Sequence, residues 1–347
     1  MKTTMQPQLN NGKVRVLLCG YGHLGLSLLE GLLANPKECE LVGVFRWSAR
    51  SGNNQIWEPI ENEFQTRIAQ ARLQEIHCKG MNSYDFTNIL QKLKPDVVLV
   101  GSWGEILKPH LLNEAKPLII NCHPSKLPAH RGANPYSSVI RQGETETGVT
   151  FHLMAAQIDA GAIILQEAIP LTNIESGATV RDKCAATAQQ MVSKLLPILN
   201  AYLRNESELP VIEQDLQQGS YFSQLKAEDG LLNWNDDIST MQRQMRGLFP
   251  WVPCYSLLHG KKTVLFYDPK FVPGSSFNRA PGTILRCERG IIQIALTRSD
   301  LVLEVSSYQI ALRAVNKTQT FWPVWLNPVL APFLLKPGHQ FISPSPA

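Results

Sequence analysis

Short apolar runs recur at regular intervals through the first half of the chain. Val14-Arg-Val-Leu-Leu-Cys19 reads as a buried strand. The glycine-rich turn opening at Gly20 leads into a segment with Leu24, Leu28, Leu29 and Leu32 at helical spacing. Residues 41–45 predict a second strand, and the polar stretch from Arg46 to Glu63 predicts a long loop. Helices are expected over about 64–74 and 84–93. Pro95 precedes the strand-like run 97–100, and residues 118–120 form another short strand. Strands alternating with helices predict a parallel sheet with crossover helices.

The pattern changes after residue 150. Phe151 to Met154 and Ala162 to Ile169 predict strands flanking a turn, and residues 176–203 predict one long helix. A polar stretch over 204–230 carries Pro210 and Gly219 and suits a linker. Beyond it come a helix over about 238–247 and short strands near 255–258, 263–268, 282–286, 291–297 and 301–308. Five short strands separated by Gly, Pro and Asn predict a small barrel or sandwich. The Pro-rich residues from Pro328 onward are expected to lie against the surface.

Composition narrows the class. The 347 residues are 44% apolar and 18% charged, with a formal net charge of +4. That balance fits a globular protein and argues against disorder or collagen. The length predicts two domains. No apolar run reaches the roughly 18 residues of a spanning helix, and Met1 to Lys13 lacks the apolar core of a signal peptide. The seven cysteines are scattered without CxxC spacing, so neither a disulfide framework nor a metal site is expected, and a cytoplasmic location is.

Gly20-Tyr-Gly22-His-Leu-Gly25 is a formal GxGxxG between a strand and a helix, where backbone N–H groups can meet a pyrophosphate. A dinucleotide site also wants an acid at the end of the second strand, and that strand ends Phe45-Arg46-Trp47. Arg46 would suit a 2′-phosphate, which leaves an NADP-dependent oxidoreductase as one reading and a tight turn as the other.

Residues 121–161 carry more chemistry. Asn121 and His123 follow a buried strand, two apart, so both side chains point the same way. Asn offers an N–H donor to a developing oxyanion, and His carries a proton near neutral pH. Asp159, in an Asp-x-Gly turn, is a candidate for fixing the imidazole. Donor, proton shuttle and tuning acid are the set that acyl transfer to an amine requires. His130 and His152 read as structural or surface residues.

Together Asn121-x-His123, Ser125-Lys126-Leu127-Pro128, Arg131-Gly132, Gly143-Glu144, Thr147-Gly148-Val149-Thr150 and Ile158-Asp159-x-Gly161 resemble the 10-formyltetrahydrofolate-dependent formyltransferases. Trp103, Gly104, Ile106 and Leu107 lie in a stretch similar to the loop lining the folate's pterin pocket in that family. The resemblance implies that Asn121 holds the formyl oxygen and that His123, paired with Asp159, moves the proton. It also implies that Ser125, Lys126, Leu127 and Pro128 contact the folate co-substrate, with no metal involved. Asp229-Gly-Leu-Leu-Asn-Trp234, Arg246 and Phe249-Pro-Trp251 resemble the C-terminal barrel of the methionyl-tRNA and amino-sugar formyltransferases.

The expected architecture is therefore α/β, with a Rossmann-like catalytic domain over 1–212, a linker over 213–228, an OB-like β-barrel domain over 229–330 and a tail over 331–347. The overall resemblance is closest to the methionyl-tRNA formyltransferases, which implies initiator methionyl-tRNA as acceptor and partner. Residues 240–317, with 11 Lys/Arg against 4 Asp/Glu, suit a phosphate backbone. The stretch from Ser48 to Pro59, with one base and no lysine, departs from that subfamily's Gly- and Lys-rich loop. An amino-sugar nucleotide or an amino acid is the alternative acceptor, and a catalytically silent RNA-binding relative is the non-enzyme alternative.

Overall fold

The computed structural model describes residues 12–46, 60–114, 117–258, 262–311, 331–332 and 334–344. The chain divides into two compact units. The first holds residues up to 136, 144–174 and 179–223, and the second holds 137–143, 175–178 and 224 onward.

In the first unit, β1 (Val14–Gly20) feeds α1 (Gly22–Leu33), whose Leu24, Leu28, Leu29 and Leu32 are all buried. Burying a leucine is worth about 1.5–3 kcal/mol, so this stripe fixes the helix on the sheet. There follow β2 (Cys39–Arg46), α2 (Ile60–Gln70), β3 (Glu75–Ile76), α3 (Tyr84–Leu93), β4 (Val97–Gly101), α4 (Pro109–Glu114) and β5 (Leu118–His123). Ser83 caps α3 by accepting from the Phe86 N–H. After β6 (Arg131–Gly132) and α5 (Pro135–Arg141), β7 (Glu146–Leu153) and β8 (Ile163–Pro170) lead to the long helix α6 (Gly177–Leu203). The sheet order is β3-β2-β1-β4-β5-β7-β8. The first five strands are parallel, and β7 and β8 add antiparallel. This is the Rossmann-like arrangement that the alternation predicts. The order reverses between β1 and β4, and ligands bind outside the carboxyl ends of strands at such a point.

β9 (Tyr221–Phe222) pairs in parallel with β6. Neither two-residue strand is visible in the sequence, because so short a pairing has no period.

The second unit carries α7 (Ile238–Leu248), capped by Asp237, and then β10 (Cys254–Leu258), β11 (Lys262–Phe266), β12 (Pro269–Pro273) and β13 (Ile284–Glu288). β14 (Ile291–Ala295), β15 (Leu301–Val305), β16 (Tyr308–Ala311) and β17 (Phe341–Ile342) complete it. Two four-stranded antiparallel sheets result, β16-β11-β10-β17 and β12-β15-β14-β13. Among the described residues, hydrogen bonding closes no barrel, so the expectation of an OB-like barrel is met only as an antiparallel β body. The run read as one strand over 301–308 is two strands in different sheets, broken at Ser306-Ser307. β12 escapes a sequence reading because proline bounds it at both ends, a placement that an edge strand tolerates.

The core of this unit centres on Trp234, whose ring stacks on Phe341 at 5.6 Å and whose Nε1–H donates to Ser256 Oγ at 2.9 Å. Ala331, Leu335 and Phe341 are buried in it. This corrects the picture of a surface-lying end: proline content hides the apolar positions that fill the core. All seven cysteines are free thiols. No helix among the described residues is long and apolar enough to cross a membrane.

Candidate active site

β1, β4 and β5 run parallel, so the Gly20 turn, the Ser102–Leu107 loop and Asn121-Cys122-His123 all emerge at the same edge of the sheet. Alternation along β5 sends Ile120 and Cys122 to one face and Asn121 and His123 to the other. Cys122 lies near Cys184 of α6. On the other face, Asn121 Nδ2 donates to His152 Nε2 at 3.1 Å and to Asp159 Oδ1 at 3.3 Å. His123 sets Nδ1 3.4 Å from Asp159 Oδ2 and Nε2 2.9 Å from the His130 carbonyl oxygen. The structure thus brings Asn121, His123 and Asp159 together, although 36 residues separate the last two in sequence.

Asp159 is held from several sides. Its Oδ2 accepts from the Gly132 N–H at 2.9 Å. Its backbone is left-handed, at φ 52°, as is that of His130, at φ 59°. Such conformations cost non-glycine residues about 1–3 kcal/mol each and persist only where the surroundings impose them. Burial works to raise the Asp159 carboxyl, but His123, the nearby His152 ring and the Gly132 N–H outweigh it and hold the group at about 2. Asp159 is therefore an anion at neutral pH.

His123 is almost fully buried, and burial pulls its pKa below the ordinary value for histidine. Asp159 and the His130 carbonyl oppose that pull, and His152 adds to it. The ring is consequently neutral at rest, yet both nitrogens face oxygen acceptors. Only the doubly protonated ring can donate to both, so the site is arranged to receive a proton.

Of the two placements read for His152, structural or surface, the structure shows a buried one. The residue lies on β7 directly opposite Asn121 in the antiparallel register. Its Nδ1 lies 2.8 Å from the Leu153 carbonyl oxygen, which can only accept, so the hydrogen is assigned to Nδ1 and Nε2 is left to accept from Asn121. Thr150 and His152 stand two apart, alternating with the apolar Val149, Phe151 and Leu153. That polar pair on one face is the signal a sequence reading had available. His130 is also buried, with its ring stacked on Phe222 at 5.2 Å and Nε2 3.6 Å from Glu144.

The folate-contact candidates divide into two loops. Ser125 is buried and donates to the Ala129 carbonyl at 2.7 Å, and the Leu127 N–H donates to Thr150 Oγ1 at 3.3 Å. Pro128 follows a cis peptide bond. Lys126 is exposed and pairs with Glu146. In the other loop Leu107 is buried, Trp103 is half-buried against Phe45, and Gly104 and Ile106 are exposed. Glu105 fixes this loop by accepting from Trp103 Nε1–H at 3.1 Å and from the Met81 N–H at 2.7 Å.

The glycine-rich turn is already occupied by protein. Glu61 is buried, and its Oε1 accepts from the Gly22 N–H at 2.6 Å, where a bound phosphate would need that donor. Arg46, the candidate for a 2′-phosphate, pairs with Glu61 at 3.3 Å and with Glu75 at 2.7 Å. Gly20 and Gly25 serve close packing: a Cβ on Gly25 would lie 2.9 Å from the Gly20 backbone and from the Phe64 ring. The loop from Ser48 to Pro59 lies outside the described residues.

The chain matches the family model described as formyl transferase over residues 13–196, and the model for the formyl transferase C-terminal domain over 224–323. It belongs to the formyl transferase family. The expectation of a formyltransferase is thereby met. This formyltransferase chain is 30% identical to the methionyl-tRNA formyltransferase of Syntrophus aciditrophicus, over 73% of its own length and 79% of the relative's. HypX from Aquifex aeolicus, solved with tetrahydrofolic acid, superposes with a TM-score of 0.60 at 17% identity, over 96% of this chain. The chain spans 50% of HypX. An N-formyltransferase from Helicobacter canadensis, solved with folinic acid and dTDP-3-aminofucose, superposes with a TM-score of 0.58 at 16% identity, covering 84% of this chain and 98% of that one. At these identities the two solved structures speak for the fold of this formyltransferase alone.

Proposed function

We propose that this chain transfers the formyl group of 10-formyltetrahydrofolate to a primary amine, and that the amine is that of initiator methionyl-tRNA. The observation that carries the reading is the cluster of Asn121, His123 and Asp159 at the carboxyl end of β5. The neutral amine attacks the formyl carbon, and Asn121 Nδ2–H donates to the formyl oxygen as negative charge develops on it. The longer of the two Asn121 hydrogen bonds, the one to Asp159, is the one this oxygen would replace. His123 takes the proton from the attacking nitrogen, stabilised as a cation by Asp159 on one side and the His130 carbonyl on the other. It returns that proton to folate N10 as the bond between N10 and the formyl carbon breaks, so the ring ends the cycle neutral. Trp103, Gly104, Ile106, Leu107 and Ser125 to Pro128 are the proposed folate contacts.

The acceptor assignment is supported by the two-part family match, by the similarity to a methionyl-tRNA formyltransferase and by the excess of bases over acids in residues 240–317. The lysine-free stretch from Ser48 to Pro59 favours the second reading, an amino-sugar nucleotide as acceptor. Incubation with 10-formyltetrahydrofolate and a panel of charged initiator tRNA, amino-sugar nucleotides and amino acids tests both. Formyl-methionyl-tRNA as the preferred product supports the first, a formylated sugar nucleotide the second, and no formylated amine overturns the chemistry itself.

A further inference from the structure

We infer that the segment Ile212–Phe222 is a strap that positions the catalytic groups, with Gln214 and Ser220 as its positioning residues; the inference rests on the formyl-transfer reading of the Asn121–His123–Asp159 site.

The strap touches the two loops that hold His123 and Asp159. Gln214 Nε2 donates to the Asp159 carbonyl at 2.9 Å and to the Gly161 carbonyl at 2.7 Å, bridging the turn on both sides of Ala160. The backbone of Ile212 exchanges hydrogen bonds with Ile163, just after that turn. Further on, Ser220 Oγ accepts from the His130 N–H at 2.8 Å, and the Ser220 carbonyl accepts from the Arg131 N–H at 2.9 Å. The Phe222 carbonyl accepts from the Ala133 N–H at 3.1 Å, and the Phe222 ring stacks on His130.

These contacts fall where the chain is least able to hold itself. Asp159 and His130 are both left-handed, and Gly132, at φ 96°, lies between the bonded positions. A Cβ on Gly132 would stand 2.2 Å from the Phe222 carbonyl oxygen, so the strap also demands glycine there. The His130 carbonyl receives His123 Nε2, and the Gly132 N–H donates to the Asp159 carboxylate. Through Gln214 the strap sets where Asp159 stands. Through Ser220 and β9 it sets both acceptors that bracket the His123 ring. The first unit ends at Ser223 and the second resumes at Gln224, so the strap is also the covalent lead from one to the other.

The test uses the full chain and the acceptor that the wild-type protein formylates. Gln214→Met keeps the side chain's length and removes its donors, and Ser220→Ala removes the acceptor for the His130 N–H. Each should lower kcat by up to about 100-fold, the scale of a small misplacement of reacting groups, with KM for 10-formyltetrahydrofolate changed less than about twofold. Ser220→Thr keeps the hydroxyl and should retain most of the wild-type kcat. The second readout is the titration of the His123 imidazole by NMR, which needs no activity. The groups facing that ring are Asp159 from the turn after β7, His152 from β7, and the His130 carbonyl with Glu144 beyond it. Loosening Asp159 removes the anion that favours the charged ring, so Gln214→Met should move the titration to lower pH. Wild-type kcat with an unmoved titration in Gln214→Met overturns the strap. A wild-type protein that formylates no amine overturns the formyl-transfer reading instead, and the titration still decides whether Gln214 positions Asp159.

Discussion

At the scale of single residues, the proposed site assigns each side chain a separate role that substitution can test. His123→Ala removes the proton carrier and should lower kcat by about 10²–10⁴, with folate binding retained in an equilibrium titration. Asn121→Asp puts a carboxylate where negative charge develops, so it should be at least as harmful as Asn121→Ala, for which a loss of about 10²–10³ is expected in steady-state turnover. His152→Phe keeps a ring but removes the acceptor that orients the Asn121 amide. It should lower kcat more than KM, and His152→Gln, which restores an acceptor oxygen, should recover part of the loss. pH adds a signed expectation. Burial lowers the His123 pKa and Asp159 opposes that lowering, so Asp159→Asn should move the acid limb of kcat/KM to lower pH while reducing its plateau. Wild type and variant share the titration of the acceptor amine, so their difference reports His123. The depressed Asp159 also stabilises the fold above the ordinary carboxylate range, and that contribution should fade as the pH falls toward about 2.

At the scale of elements, the strand-to-helix turn after β1 shows how one motif serves two ends. Gly22 offers its N–H at the start of α1, as a nucleotide-binding turn would, but Glu61 takes it and Arg46 neutralises Glu61. NADPH and NADH should therefore show no micromolar binding by calorimetry, and a clear binding isotherm for either would reopen the oxidoreductase reading. Gly25→Ala should destabilise the first unit by about 1–3 kcal/mol in urea unfolding, because its Cβ meets the Gly20 backbone and Phe64 at 2.9 Å. Lys126 points to an exposed pairing with Glu146, where side-chain length is tolerated. Asn134 adopts φ 55°, a conformation that asparagine enters more readily than most residues.

At the scale of the whole molecule, charge offers a test of the proposed acceptor. Within the basic stretch, Lys270, Arg286 and Arg298 are paired with Asp268, Glu288 and Asp300, whereas Arg279 and Arg289 are exposed on loops of the second unit. Lys261 lies outside the described residues. If tRNA is the acceptor, its binding should weaken as salt rises from about 50 to 200 mM, with log K falling roughly 0.7–0.9 per phosphate contact against log salt. Charge reversal at Arg279 and Arg289 should weaken tRNA binding and flatten that slope by about one contact each. Formylation of a small amine should be unchanged, since these residues stand in neither the catalytic nor the folate-contact set. Salt-independent binding would remove tRNA as the acceptor.

What the sequence determined by itself is what depends on near neighbours. The leucine stripe of α1, the alternation that puts Asn121 and His123 on one face of β5, the parallel sheet and the long helix α6 all follow from periods of 3.6 or 2 within a single element. The family motifs marked Asp159 as the third member before any contact was visible. The tertiary structure alone decided the pairings between distant segments. The antiparallel register of β5 and β7 set His152 against Asn121, and the left-handed turn at Asp159 carried its carboxylate to His123. Glu61 filled the glycine turn from 39 residues away, and Phe341 closed the core around Trp234 from beyond the prolines. A local period reports only which way a side chain faces. Which group it meets there is set by strand register, loop closure and internal charge partners, and those are settled only when the whole chain has packed.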